Sequence, residues 1–253
     1  MLNLDKIKKT FLSNGFVKIE NLFTKKEVNE IINEIEKIKI RSIKIKNPNM
    51  HFTEDKKINT IHDINTYVKK GSIIKLSKSK KILSIVNKIL NEKSSVRNIE
   101  FFSKPKKTGL KSPYHQDNYY WKFKDKKALN VWIACNKANK SNGGVGYFVG
   151  SHKLGLKKHI TSYAPGSSYK IPDTFIKKIK NKKVYPSLNS GDVCIHHCEI
   201  IHGSSKNDSK KNREGLVISY KAYNSKPDKS ELKRYRENVA RNLKHLKKKN
   251  AKR

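Results

Sequence analysis

His115 and Asp117 stand two residues apart in the stretch YHQDNYYW, residues 114–121. In a β-strand, alternate side chains point to the same face and lie roughly 6.5–7 Å apart. A strand here would let both side chains bind one ion, with Gln116 facing away. An imidazole and a carboxylate suit Fe(II), Mn or Zn. Because such a pair is common by chance, a polar turn lined with aromatic rings is the alternative interpretation.

A second histidine and an arginine follow in GDVCIHHCEIIHGSSKNDSKKNREG, residues 191–215. His202 ends a strand-like run and would complete a set of two histidines and one carboxylate, which leaves metal positions open for a co-substrate and O₂. Arg213 opens the next strand-like run, and its forked guanidinium can bind a carboxylate through two hydrogen bonds. A site that holds the far end of 2-oxoglutarate requires such a group.

Three blocks occur in a defined order: H-x-D at 115–117, NVWIACNKANKSNGGVGYFVGSHK at 130–153, and GD…HH…HGSSKN…R from 191 to 213. Together they resemble the phytanoyl-CoA dioxygenase family, over roughly residues 96–224 and more loosely over the N-terminal helices. The resemblance implies a mainly β fold with flanking α-helices, a double-stranded β-helix of the jelly-roll, cupin-like type. It also implies Fe(II), 2-oxoglutarate and O₂ as cofactor and co-substrates.

The resemblance assigns roles to five residues. It makes His115, Asp117 and His202 the iron ligands at the catalytic centre, and Arg213, assisted by Ser204, the anchor for the distal carboxylate of 2-oxoglutarate. The implied reaction hydroxylates a C–H bond of a small molecule, an acyl-CoA or a carrier-tethered substrate. Related halogenases have Gly or Ala where this chain has Asp117, so its carboxylate favours hydroxylation. A catalytically inactive family member is an alternative.

Aromatic residues continue the H-x-D stretch. If the strand runs straight, Tyr119 and Trp121 share a face with the predicted ligands and form a substrate wall, while Tyr120 faces out. Ordinary core packing is the alternative for both. His196 shares the parity of His202, so it either lines the site or packs in the core. We expect Lys104 to be solvated, although contact with an anionic substrate is the alternative.

The elements that position these residues can be predicted from periodicity. The N-terminal residues 1–95 contain a helix that ends at Gly15, a strand, and a helix opened by the capping box of Thr24 and Glu27. Ser77 is expected to cap a further helix. Between 96 and 224, short strand-like runs alternate with turn residues, which is typical of a jelly roll. Residues 155–185 are a Lys-rich insertion.

Residues 225–253 are predicted to form a basic amphipathic helix with an apolar stripe that docks on its own domain. We therefore expect one oxygenase domain over 1–253. Lys and Arg exceed Asp and Glu by 58 − 21 = 37, and such a field attracts anions, including nucleic acid. A nucleic-acid-binding protein is thus the alternative from another class, although solvated lysines explain the same composition.

The cysteine count and the hydropathy pattern bear on location. Three cysteines are too few and odd in number for a disulfide framework. No apolar run approaches the ~20 residues of a membrane span, and the N-terminal segment lacks the apolar run of a signal peptide. We expect a cytoplasmic protein without a membrane span.

Overall fold

The computed structural model describes residues 2–164 and 167–250 of the chain. The helices are α1 (Leu4–Asn14), α2 (Lys25–Lys44), α3 (Ile64–Tyr67), α4 (Ser72–Ser77), α5 (Lys80–Leu90), α6 (Asn118–Trp121), α7 (Asp173–Lys178) and α8 (Lys229–Asn250). The strands are β1 (Phe16–Ile19), β2 (Met50–Phe52), β3 (Ile58–Ile61), β4 (Ser94–Lys104), β5 (Ser112–His115), β6 (Ala128–Ala134), β7 (Gly146–Phe148), β8 (Ile160–Ala164), β9 (Ser167–Lys170), β10 (Lys183–Val184), β11 (Val193–His197), β12 (His202–Ser204) and β13 (Arg213–Ala222).

Two antiparallel sheets form the walls of a jelly roll, as the sequence predicts. The major sheet has the order β1-β11-β6-β13-β4-β3-β2, and the minor sheet has the order β10-β7-β12-β5. The run from 191 to 202, which reads as one strand, divides between them: β11 belongs to the major sheet and β12 to the minor one. His202 therefore lies on the wall opposite the strand that precedes it.

The major sheet is covered on its outer face by the N-terminal helices. Ile31 and Ile35 of α2 and Ile85 of α5 share one buried cluster with Leu216 and Ile218 of β13. Burial of such a side chain contributes ~1.5–3 kcal/mol. Alternate residues of a strand face opposite sides of the sheet. Because residues 216 and 218 pack against the helices, the odd-numbered residues of β13 from 213 to 219 face the interior of the barrel.

Local signals at the helix ends are mostly confirmed. Gly15 ends α1 in the left-handed conformation, with φ 81°, and Thr24 and Glu27 form both bonds of the predicted capping box. The prediction for Ser77 is wrong, because Ser77 is the buried last residue of α4 and Ser79 caps α5. Ser77 and Ser79 are both suitable N-cap residues. Ser77 is buried in α4, so Ser79 caps α5.

The prediction of one strand over YHQDNYYW is also wrong. Strand β5 ends at His115, Asp117 already has helical backbone angles (φ −62°, ψ −35°), and α6 follows directly. The side chain of Asn118 holds this turn, since it accepts from the N–H of Phe123 and donates to the carbonyl of Phe123 and to Glu199. The strand parity assumed for residues 119–121 therefore does not apply.

Helix α8 docks on its own domain, as predicted, but on the minor-sheet side of the jelly roll. Asp228 caps it by accepting from the N–H groups of Ser230 and Glu231. Tyr235 packs against the rings of Tyr120 and Tyr169, 5.8 and 5.7 Å away. The predicted stripe residues Leu243 and Leu246 lie outside the described side chains. Among the described residues, no helix is long and apolar enough to cross a membrane.

Candidate metal centre

Three side chains from three separate elements converge inside the barrel. His115 ends β5, Asp117 precedes α6, and His202 opens β12, where it pairs in register with His115. One ligand atom from each residue lies within 4.8 Å of the others. The Nε2 atoms of His115 and His202 lie 3.6 and 3.7 Å from Oδ1 of Asp117. The structure thus brings together the three predicted ligands.

Backbone contacts fix the orientation of both histidines. Nδ1 of His115 lies 2.8 Å from the carbonyl of Pro113, and Nδ1 of His202 lies 3.0 Å from the carbonyl of Ile200. A carbonyl oxygen only accepts, so each Nδ1 carries the proton and each Nε2 has a free lone pair. Such a second contact is how proteins aim a histidine at a metal. Both lone pairs point toward Asp117.

The carboxylate of Asp117 is held from behind. Its Oδ2 accepts from Nδ2 of Asn130 at 2.9 Å and from Nε2 of His196 at 3.3 Å. The other nitrogen of His196 lies 3.2 Å from the hydroxyl of Tyr147. His196 therefore contacts the carboxylate from behind and lies outside the group of His115, Asp117 and His202. Asn130 was missed in the sequence, where an isolated Asn in a buried strand run carries no recognisable signal.

The protonation states suit a cation. Burial alone would raise the pKa of Asp117, but the neighbouring His202, His115 and His196 hold it well below its usual range. Burial lowers the pKa of His202 to about 3, against the opposing charge of Asp117. At neutral pH this pair is an anionic carboxylate beside a neutral imidazole. Two imidazole nitrogens and one carboxylate oxygen form a donor set that fits Fe(II).

Arg213 has buried donor groups that fit an anionic ligand. It opens β13, is 2% exposed, and donates from Nη2 to the carbonyl of Gly143 at 3.1 Å. Its Nε and Nη1 are buried and have no partner among the described residues. An unpaired buried polar group costs ~1–3 kcal/mol, and more when it is charged. The arrangement fits a carboxylate that two N–H groups would bind.

Two neighbours complete the pocket around Arg213. The guanidinium lies over the ring of Trp132 at 5.6 Å, and a Cβ at Gly215 would come within 2.2 Å of that ring. Only a glycine at 215 therefore lets the indole lie against β13. Trp132 is itself buried, with 4% of its surface exposed. Ser204 is also buried, two residues after His202 on β12.

The expectation that Lys104 is solvated is wrong. Lys104 pairs with Arg213 across β4 and β13 and is only 4% exposed. Its ammonium group donates to the carbonyls of Leu110 and Ser205, both at 2.5 Å. Burial, together with the charge of Arg213, holds the pKa of Lys104 well below its usual value. Two basic side chains thus lie side by side at this end of the barrel.

The predicted substrate wall is arranged differently from the sequence expectation. Tyr119 stacks on His159 at 4.1 Å, and Trp121 packs in a small core cluster with Phe123. Tyr120, which was expected to face out, has its ring 5.9 Å from that of His115. The change from strand to helix after His115 reverses which aromatic faces the metal site.

Comparisons with known proteins identify the family of the chain. The sequence profile of the family described as phytanoyl-CoA dioxygenase (PhyH) matches residues 11–215. A probable alpha-ketoglutarate-dependent hypophosphite dioxygenase of Stutzerimonas stutzeri is 24% identical, over 86% of this chain and 78% of that protein. The peroxisomal phytanoyl-CoA dioxygenase of Homo sapiens is 24% identical, over 84% of this chain and 67% of that protein.

Solved structures share the fold. EctD from S. alaskensis with bound Fe superimposes with a TM-score of 0.74 at 16% identity, over 88% of this chain and 78% of that one. The epimerase SnoN in complex with Fe3+, alpha ketoglutarate and nogalamycin RO gives a TM-score of 0.70 at 16% identity, over 88% and 84% of the two chains. At this identity the superposition shows the architecture alone.

Proposed function

Because the chain belongs to the phytanoyl-CoA dioxygenase family, it is an Fe(II)- and 2-oxoglutarate-dependent dioxygenase, and we propose that His115, Asp117 and His202 bind its iron. The observation that carries this assignment is the convergence of their three ligand atoms within 4.8 Å. Both histidines keep Nε2 free because Nδ1 donates to the backbone. Oδ1 of Asp117 is likewise free, since Asn130 and His196 occupy Oδ2.

Arg213 is the proposed partner of the distal carboxylate of 2-oxoglutarate. Its two unpaired N–H groups support this role, and they match the two oxygens of a carboxylate. Ser204 lies on β12 of the opposite, minor sheet and is the proposed additional donor. The indole of Trp132 covers the guanidinium and excludes water, which strengthens the charge interaction in a low-dielectric pocket.

Bound iron and 2-oxoglutarate supply the activation of O₂ and the oxidation of a substrate C–H bond. The residues of the chain have a positioning role. Asn130 and His196 keep the Asp117 carboxylate in one orientation, so that one carboxylate oxygen stays available as a ligand. A carboxylate at this position occupies the site that a halide takes in the related halogenases. Hydroxylation is therefore the proposed outcome.

The relatives act on small molecules or on CoA-bound substrates: one is named for hypophosphite and the other for phytanoyl-CoA. We infer that this enzyme likewise takes a small-molecule, acyl-CoA or carrier-tethered substrate. Hypophosphite is an anion, and the phosphates of CoA are anionic as well. A cytoplasmic location is also our proposal, consistent with three buried cysteines that are all free thiols.

The test of the iron assignment is succinate formation from 2-oxoglutarate with Fe(II), measured for wild type and for Asp117→Ala. We expect the variant to lose turnover because the anionic ligand is gone. Asp208→Ala is the matched control, since Asp208 is exposed and pairs with the exposed Lys206; it should keep full turnover. Unchanged turnover in Asp117→Ala would contradict the assignment.

A further inference from the structure

Strand β4 carries an irregularity next to the metal centre. Its pairing with β13 is regular from Lys104 to Asn98, which lies opposite Ser219, but the next pair is Val96 with Tyr220. Arg97 is therefore an extra residue without a partner in the ladder. Such a bulge bends the strand and re-aims a side chain, and bulges are frequent beside active sites. Here the re-aimed side chain is the guanidinium of Arg97.

The Arg97 guanidinium lies on the side of the metal ligands. Its central carbon is 4.6 Å from the ring centroid of Trp121. Trp121 follows Asp117 by one turn of helix, with its N–H donating to the Asp117 carbonyl at 3.2 Å, and a turn rises about 5.4 Å. Burial lowers the pKa of Arg97, and the carboxylates of Glu100 and Asp117 oppose that shift. Arg97 is thus within electrostatic reach of the iron site.

This guanidinium has donors to spare. Arg97 is only partly exposed, yet no hydrogen bond or ion pair reaches it from the part of the chain that the structure describes. Arginine carries five N–H donors in a fixed fork. In the described part of the chain, the nitrogens of Arg97 are not among the buried atoms that lack a partner, so they stay accessible, and an oxyanion would form charge-assisted hydrogen bonds with them. The contact with Trp121 occupies one face of the fork and leaves its edge free.

The groups around Arg97 do not compete for it. Glu100 accepts from Nδ2 of Asn98 at 3.1 Å and lies 2.5 Å from Nδ1 of His62, so its charge is already matched. Asp63 interacts with Arg97 only at long range and accepts from Asn49. Lys122 adds a second cation nearby, 5.9 Å from the ring centroid of Tyr235.

Two tyrosine rings connect Arg97 to the metal. Tyr235 on α8 lies close enough to Arg97 to affect its pKa, and the ring centroid of Tyr235 lies 5.8 Å from that of Tyr120. The ring of Tyr120 in turn lies 5.9 Å from that of His115. The rings of Tyr235 and Tyr120 thus form a chain of aromatic contacts from the neighbourhood of Arg97 to His115.

Resting on the proposed function, we propose that Arg97 binds an oxyanion of the substrate, a carboxylate or a phosphorus oxyanion, while the tyrosines hold the remainder of the molecule beside the iron. The fork of a guanidinium matches both kinds of oxyanion. This site is separate from the 2-oxoglutarate anchor, because Arg213 lies at the far end of β13, opposite Lys104. The enzyme thus has one arginine for the co-substrate and another for the substrate.

The test uses the fluorescence of Trp121, on which Arg97 lies. The chain has two tryptophans, and saturation with Fe(II) and 2-oxoglutarate under nitrogen fixes the surroundings of Trp132 beside Arg213. Acetate, methylphosphonate and inorganic phosphate are then titrated at constant ionic strength, with acetamide and methylammonium as neutral and cationic analogues. We expect a saturable response to the oxyanions alone, and comparison of the acetate and methylphosphonate affinities identifies the preferred class.

The variants separate a built site from general charge. Arg97→Gln should weaken the oxyanion response ~10–100-fold, as expected for the loss of charged hydrogen bonds, and Arg97→Lys should fall between it and wild type. Arg41→Gln is the matched control. Arg41, on α2, is exposed, and like Arg97 it lies over an aromatic ring, that of Tyr67 at 5.9 Å. The control variant should behave as wild type. For any oxyanion that stimulates turnover, Arg97→Gln should raise its KM without changing the KM for 2-oxoglutarate.

The outcomes distinguish this proposal from the proposed function. Absence of a saturable oxyanion response, an equal response to acetamide, or an unchanged affinity in Arg97→Gln would each overturn the role of Arg97. An equal loss in Arg41→Gln would also overturn it, since the effect would then be general charge. If the wild type forms no succinate but the fluorescence titration behaves as expected, the oxygenase assignment fails and the oxyanion site stands.

Discussion

Replacement of Arg213 by methionine should remove the response to 2-oxoglutarate while leaving the ligand-free protein about as stable as before. Methionine keeps an unbranched apolar stem beside Trp132 but has no charge and no donor. The variant loses one hydrogen bond to the carbonyl of Gly143, a contribution of about 1 kcal/mol. It also removes two buried nitrogens, Nε and Nη1, that have no partner among the described residues. Removal of their desolvation cost offsets the loss of the hydrogen bond.

The expected loss of affinity follows from the same two groups. A hydrogen bond to a charged group contributes ~1.5–3 kcal/mol, so two of them correspond to at least ~10²-fold in the dissociation constant. At a 2-oxoglutarate concentration 100 times the wild-type constant, binding stabilises the folded state by ~2.7 kcal/mol. For the variant, the same 2-oxoglutarate concentration is about equal to the dissociation constant. Binding then stabilises the folded state by only ~0.4 kcal/mol.

Thermal unfolding with and without 2-oxoglutarate, in the presence of Fe(II) under nitrogen, measures both effects. For a chain of this size, 1 kcal/mol shifts Tm by ~2–4 °C. The wild type should therefore gain several degrees on addition of 2-oxoglutarate, and Arg213→Met about one degree. Arg41→Met, on the exposed side of α2, should keep the wild-type gain. A wild-type rise in Tm for Arg213→Met on addition of 2-oxoglutarate would refute the reasoning. A fall of several kcal/mol in the stability of the ligand-free variant would also refute it. An equal loss of iron binding would indicate misfolding.

Two further perturbations test the surroundings of the site. Burial lowers the pKa of His197 to about 3, so the folded state excludes a proton that the unfolded state takes up below pH ~6.5; the wild type should lose stability as pH falls from ~6.5 toward 3. In His197→Asn that slope should be flatter by up to ~1.4 kcal/mol per pH unit, measured by urea unfolding, and an identical slope would show that His197 titrates normally. Deletion of residues 229–253 uncovers the rings that Tyr235 packs against and should lower Tm and increase the binding of a hydrophobic dye. Unchanged stability together with a collapse of RNA affinity would instead identify α8 as a binding arm.

The chemistry of the site could be predicted from the sequence because it depends on residue types in a fixed order. His115, Asp117, His202 and Arg213 are identified by their blocks, and the structure brings all four into one barrel. The helix ends at Gly15 and Thr24 were equally predictable. For the two helix ends, the deciding interaction lies within a few residues along the chain.

The sequence-based predictions that were wrong concern residues whose structure depends on contacts between distant segments of the chain. The stretch after His115 has a pattern that fits a strand as well as a helix, as short runs often do, and the helix is held by Asn118 through Phe123 and Glu199. Lys104 looks like one solvated lysine among many, and its burial follows from its pairing with Arg213 inside the major sheet. Arg97 gave no signal at all, because a bulge is a property of two paired strands.

The pairing of β5 with β12 has a consequence for the order in which the protein becomes able to hold iron. His115 and His202 lie 202 − 115 = 87 residues apart in the chain, yet they are directly opposite each other in the minor sheet. Contacts of such separation close a long loop and therefore form late and slowly during folding. Before that step, His115 and Asp117 are a two-ligand site at most. Binding of the metal by all three ligands therefore requires that β5 and β12 have already paired. The metal then stabilises a fold that backbone pairing has formed.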